Sequence, residues 1–149
     1  MTTLVVGVGN AWRGDDAAGL EVAQLLRRAA PDGTQVVEHE GDPSGLIDAW
    51  EGEDEVVLVD AVSSGAPPGT VYRLNPLEKP LPAELFRRST HQLGVAEAVE
   101  MARVLDRLPA RLAVYGIEGR SFHAGEPLCP QVRQAVGRVA SELAGRLTG

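Results

Sequence analysis

The chain has 149 residues, 44% of them hydrophobic and 23% charged, with a formal net charge of −7. That size suits one domain over residues 1–149 around one core, and the acidic balance argues against nucleic acid, whose binding rests on basic surface. No apolar run is long enough to cross a bilayer and no basic, then hydrophobic leader opens the chain, so a cytoplasmic protein with no membrane partner is expected.

The predicted elements alternate between strand and helix. Thr3–Val8 is a short β-rich run that ends at Gly9. From Asp15 to Ala30 the spacing is helical, with Ala18, Val22, Leu25, Leu26 and Ala29 on one face and Pro31-Asp32-Gly33 as the stop. Gln35–Glu40 alternates as a second strand. Pro43 to Trp50 suits a short helix with proline near its start. Glu55–Ala61 carries Val56-Val57-Leu58-Val59, the continuous apolar run of a strand buried on both faces.

Gly69–Leu74 follows the turn Ala66-Pro67-Pro68-Gly69 and is placed antiparallel at a sheet edge, because its link to the third strand is so short. Asn75–Arg88, with three prolines, reads as a loop with one helical turn. Ser89-Thr90 can cap a helix from His91 to about Leu108. Arg111–Ile117 is the last strand. Leu128, Val132, Ala135, Val136, Val139, Ala140 and Leu143 define a final amphipathic helix. The predicted fold is α/β with three layers: a mostly parallel twisted sheet of about five strands and helices on both faces.

Gly7-x-Gly9 at the end of the first strand invites a dinucleotide-binding reading, and that reading fails on spacing. The third glycine of Gly-x-Gly-x-x-Gly would fall at Trp12. Asp15 and Asp16 would also repel a pyrophosphate at the helix N-terminus. Acids in a first helical turn favour the dipole and cap N–H groups, and Asp15 is read as such a cap. Asp60 follows the buried run Val56–Val59, at the carboxyl edge where open α/β sheets bind ligands; its plainer role would be a turn acid for the N–H groups of Val62-Ser63-Ser64. His91, in the first turn of a helix, is disfavoured as imidazolium by the positive helix end, and neutral imidazole is the form that binds metal. His39 and His123 are rival ligands. His39 lies in an alternating strand, with Glu38 and Glu40 pointing to the opposite face. Asp16, Asp60 and His91 come from three segments predicted at one sheet edge and could hold a divalent metal, though the set does not identify which. Cys129, the sole cysteine, excludes an internal disulfide and reads as a small residue near a helix start.

These residues resemble the hydrogenase maturation proteases over essentially the whole chain. The resemblance lies in Gly7-Val8-Gly9-Asn10 with Asp15-Asp16 and Gly19, in Val59-Asp60-Ala61, and in His91-Gln92-Leu93-Gly94. Glu40-Gly41-Asp42-Pro43-Ser44-Gly45 is similar to the family's Asp-Gly-Gly-Thr-x-Gly loop, and Gly116-Ile117-Glu118 to its late strand end. The resemblance implies an endopeptidase that removes a C-terminal peptide from a nickel–iron hydrogenase large-subunit precursor after nickel insertion. It implies nickel, supplied by the precursor, held by Asp16, Asp60 and His91, and no serine or cysteine nucleophile. Some members carry Glu at the position of Asp16, and many carry Gly at that of Ala17. Glu40 is assigned to substrate recognition, with an ordinary strand-end acid as the alternative. A metal-binding, chaperone-like module that recognises a nickel-loaded partner without cutting it would share every ligand residue.

Overall fold

In a computed structural model, which describes residues 2–86 and 94–148, five strands form one sheet in the order β2-β1-β3-β5-β4. The strands are β1 (Thr3–Val8), β2 (Thr34–His39), β3 (Glu55–Val62), β4 (Val71–Leu74) and β5 (Arg111–Glu118). The helices are α1 (Ala18–Arg27), α2 (Pro43–Trp50), α3 (Val95–Val104) and α4 (Pro130–Thr148), with single 3-10 turns at Gly14–Ala17 and Ala83–Phe86. The first four strands of that order run parallel, and β4 pairs antiparallel with β5, Val71 opposite Ile117. The expected three-layer α/β sheet with one antiparallel edge strand is therefore the observed one. Among the described residues no helix is long and apolar enough to cross a membrane.

The apolar runs explain the layering. Successive strand residues point to opposite faces, so β1 and β3 feed two cores at once. Leu4, Val6, Val8, Val56 and Leu58 pack with Leu46 and Trp50 of α2 and Val95 and Val99 of α3. Val5, Val57, Val59 and Ile117 face Val22 and Leu26 of α1 and Val132, Val139 and Leu143 of α4. Burying each such side chain contributes roughly 1.5–3 kcal/mol. Every apolar position expected to define the last helix is buried.

Three elements differ from expectation. The predicted helix from Asp15 is split: a 3-10 turn at Gly14–Ala17 precedes α1, which stops at Arg27; within α1 Leu25 is 42% exposed, and Ala23 is on the buried face instead. A Cβ on Gly19 would collide with the carbonyl oxygens of Val8 and Val59, so the start of α1 rests directly on β1 and β3. Gly69 lies outside β4 at φ +88°, its N–H donating to the Glu118 carbonyl at 2.8 Å, and the strand begins at Val71. Finally, α3 begins at Val95, not His91, and ends at Val104. Gly94 is its N-cap, and the Glu97 carboxylate accepts the Gly94 N–H at 2.6 Å, which fixes the start there. The expected cap Ser89-Thr90 and His91 itself lie outside the described residues.

Candidate functional site

Asp16 sits on the 3-10 turn after β1 and is 8% exposed. Two backbone bonds hold that turn: the Asp16 N–H donates to Arg13 O at 3.0 Å, and the Asn10 N–H donates to Asp16 O at 3.3 Å. A Cβ on Gly9 would strike the Asp16 carbonyl, so only glycine lets the strand end pass so close to the turn. The turn packs against β3, the neighbour of β1.

Asp60 lies at that same carboxyl edge, one residue beyond Val59, which pairs with Gly7 of β1. It is 2% exposed. Its Oδ1 accepts the N–H of the next residue, Ala61, at 2.8 Å. The strand continues to Val62, so Asp60 belongs to β3 and is not a turn acid for the residues beyond. That role falls to Glu118, the last residue of β5 and itself 2% exposed, whose carboxylate takes the Ser64 N–H at 2.9 Å and the Ser64 hydroxyl at 2.6 Å. Ser63 donates its N–H to Leu85 O at 3.0 Å, tying the exit of β3 to the 3-10 turn that precedes residues 87–93.

Asp16 and Glu40 line one open cleft of about 660 Å³ at the ends of β1 and β2, together with Trp12, Leu20, Glu38, His39 and Asp42. Glu38 and His39 do lie on opposite faces, Glu38 bonding Arg27 of α1 and His39 facing Asp42 at the start of α2, and the cleft at the end of this edge strand is lined from both sides, with Glu40 beyond its last residue. His39 accepts the Gly41 N–H on Nδ1 at 2.8 Å, which requires the proton of the neutral ring to be on Nε2, 3.9 Å from Asp42 Oδ1. Asp42 also caps α2 through the Gly45 N–H at 2.9 Å. His123 lies on the loop between β5 and α4 and does not line this cleft.

The structure thus brings Asp16 and Asp60 to one edge and Glu40 to the cleft beside Asp16. The third expected ligand, His91, lies outside the described residues. Among the described residues no group of three His, Cys, Asp or Glu side chains is arranged to hold a metal ion. Two carboxylates are hard oxygen donors and need an imidazole or other partner to complete a transition-metal site.

Asp15 does something the sequence did not suggest. It makes no cap bond to its own helix. At 1% exposure its carboxylate instead accepts three backbone N–H groups, from Arg120 at 2.6 Å, Ser121 at 3.0 Å and Cys129 at 2.8 Å. The only hint in sequence was an acid next to the candidate ligand that the ligand set did not need. Cys129 is a half-buried thiol near the start of α4.

Fold and site define a three-layer α/β protein whose polar cleft and paired carboxylates lie at the carboxyl edge of a parallel sheet. Residues 20–146 match the family model described as HycI, hydrogenase maturation protease, and the chain belongs to the hydrogenase maturation protease family. It is 30% identical over 136 residues to the hydrogenase expression/formation protein HupD of Thiocapsa roseopersicina, covering 89% of this chain and 62% of that protein's length. It is 30% identical over 141 residues to the hydrogenase 2 maturation protease of Escherichia coli K12, covering 91% of this chain and 84% of that protein. Its fold superposes on the hydrogenase maturating endopeptidase HybD of E. coli with a TM-score of 0.83 at 25% identity, over 99% of this chain and 93% of that one.

Proposed function

We propose that this protein is an endopeptidase that removes the C-terminal peptide of a nickel–iron hydrogenase large-subunit precursor once nickel is in place. One observation carries the reading beyond the family: parallel pairing of β1 with β3 puts the turn of Asp16 against the strand of Asp60, so two buried carboxylates share one edge. Asp16 and Asp60 supply anionic oxygens, and His91, on the segment after the Ala83–Phe86 turn, supplies the third donor to nickel carried by the precursor. Nickel in that position would supply a recognition handle or a Lewis acid for the scissile carbonyl.

The chain's own contribution is placement. Two backbone bonds hold the turn that carries Asp16, and the Ala61 N–H holds one carboxylate oxygen of Asp60, before the precursor arrives. Glu40, on the open cleft beside Asp16, contacts the precursor outside the nickel site. Requiring nickel would make cleavage a checkpoint on metal loading.

The experiment mixes the purified protein with nickel-loaded and with nickel-free precursor and follows the mass of each. Loss of the C-terminal peptide from the loaded form alone is the expected result. Equal cleavage of both forms would remove the checkpoint, and full activity in Asp60→Ala would remove Asp60 from the site. Binding of the loaded precursor with no change in mass would favour a non-cleaving recognition module instead.

A further inference from the structure

Of the two tryptophans in this chain, one is where tryptophan is expected and one is not. Trp50 is 2% exposed and donates its Nε1–H to the Arg107 carbonyl at 3.0 Å. Trp12 is 80% exposed, on the rim of the cleft that holds Asp16. An indole left in water forgoes a large burial gain. The loop that carries it is not slack. The Trp12 N–H donates to Asn10 Oδ1 at 2.9 Å, the Trp12 carbonyl accepts the Gly125 N–H at 2.7 Å, and the Arg13 N–H donates to Asn10 O at 3.3 Å. Both flanks of the residue are tied down, so the backbone that carries the ring is held at the cleft rim. An exposed aromatic on a held backbone at the rim of a cleft is the form that contact anchors take, since little backbone entropy is lost when a partner covers it.

The lining of the cleft is mixed in chemistry. Ala11, Trp12 and Leu20 supply apolar surface, Glu38, Glu40 and Asp42 supply carboxylates besides Asp16, and no Lys or Arg among the described residues lines the space. Arg27 neutralises part of Glu38 at 3.1 Å, and Asp42 is engaged at the start of α2. Glu40 makes no side-chain hydrogen bond or ion pair among the described residues, so its charge is available to a ligand.

We propose that Trp12 is a specificity-determining contact for the precursor. Its indole packs on a peptide segment next to the bond that is cut, and the cleft takes apolar and basic side chains of that segment and turns away acidic ones. This deepens the peptidase reading above and rests on it for the identity of the partner.

The test labels the protein with 5-fluorotryptophan, which gives one fluorine resonance per tryptophan, with Trp12→Phe assigning the pair. Unlabelled large-subunit precursor is then added. The expected result is a shift or broadening of the Trp12 resonance while that of Trp50 stays in place. In cleavage assays Trp12→Ala raises KM about tenfold with a smaller change in kcat, and Trp12→Phe recovers most of the loss, in the range of a single aromatic anchor. Glu40→Lys raises KM severalfold. A Trp12 resonance that does not move, or a Trp12→Ala protein with unchanged KM, overturns the contact. Unchanged KM in Glu40→Lys overturns the charge preference. If Trp12 responds to the precursor but the wild-type protein cuts nothing, the peptidase reading fails and the contact stands.

Discussion

Asp15 and Ser121 hold each other twice, with Asp15 Oδ2 accepting the Ser121 N–H at 3.0 Å and the Asp15 N–H donating to Ser121 O at 2.8 Å. With the Arg120 and Cys129 N–H groups on the same carboxylate, this fastens the loop between β5 and α4 to the turn that carries Asp16. Asp15→Ala leaves those buried N–H groups without an acceptor and is expected to destabilise the fold by about 2–4 kcal/mol, since hydrogen bonds to charged groups are the stronger kind. Asp15→Asn keeps one carbonyl oxygen but turns an NH2 donor toward a backbone donor, so it should lose about half as much. Urea melts of the two variants give the values, and an Asp15→Ala protein as stable as the wild type would show that the loop does not need this clamp.

A second clamp ties the exit of β3 to β5 and β4. Ser64 Oγ meets Glu118 at 2.6 Å and the Tyr72 hydroxyl at 2.9 Å, so three segments converge on one serine four residues after Asp60. Glu118→Gln keeps the volume but replaces one acceptor facing Ser64 with a donor. The expected loss is about 1–3 kcal/mol, together with lower peptidase activity as the exit of β3 loosens. Ser64→Ala removes only the hydroxyl and should be the milder change. The check is a denaturant midpoint for each variant alongside its cleavage rate, and Glu118→Gln activity equal to wild type at full stability would separate Glu118 from the site.

Both clamps show where sequence reading stops. The strands and α2 were legible because local apolar runs and Pro43 specify them within a few residues, and the structure adds the Asp42 cap at the start of α2. The carboxyl-edge location of Asp16 and Asp60 was legible because parallel strands with crossover helices leave few topologies. The partners of Asp15 were not, because Arg120, Ser121 and Cys129 are more than a hundred residues away and backbone N–H groups leave no residue pattern. The start of α3 was misread for a local reason: Ser89-Thr90 offered a capping signal, but Gly94 with Glu97 supplied the one used. The alternation of Glu38 and His39 was legible because both lie inside β2, whereas the shared cleft was not, because it forms only where the strand ends.

Gly19 tests how tightly the turn of Asp16 must lie on the sheet. Its missing side chain lets α1 touch the backbones of Val8 and Val59, and an added methyl has backbone oxygens, not yielding side chains, in its way. Gly19→Ala is expected to destabilise by about 1–3 kcal/mol, as overpacked cores do, despite the better helix propensity of alanine. The displaced helix start should also move Asp16 relative to Asp60, so cleavage should fall further than the folded fraction does. Thermal melts and cleavage rates measured on the same samples make the comparison, and activity that simply tracks the folded fraction would show that the spacing tolerates the shift.

At the opposite end of the sheet, Arg73 grips Glu142 with two bonds of 2.8 and 2.6 Å and stands over the Tyr115 ring at 6.0 Å. The Arg73 hydrogen bond is the main cause holding the Glu142 carboxyl below the ordinary range. A carboxyl depressed on folding stabilises the protein above its unfolded pKa, and that contribution is lost as pH falls through the folded value. Both side chains are well exposed, so solvent screening limits the effect to about 1 kcal/mol or less. Glu142→Gln should therefore be slightly less stable than wild type at neutral pH, with the gap closing as the pH drops below the carboxylate range and shrinking in high salt. Nearby, Arg146 binds Glu55 at 3.0 Å, so Glu142→Gln leaves a second ion pair in place. Urea midpoints taken from neutral pH down into acid give the curve, and a gap that widened on acidification would reverse the sign assigned to this pair.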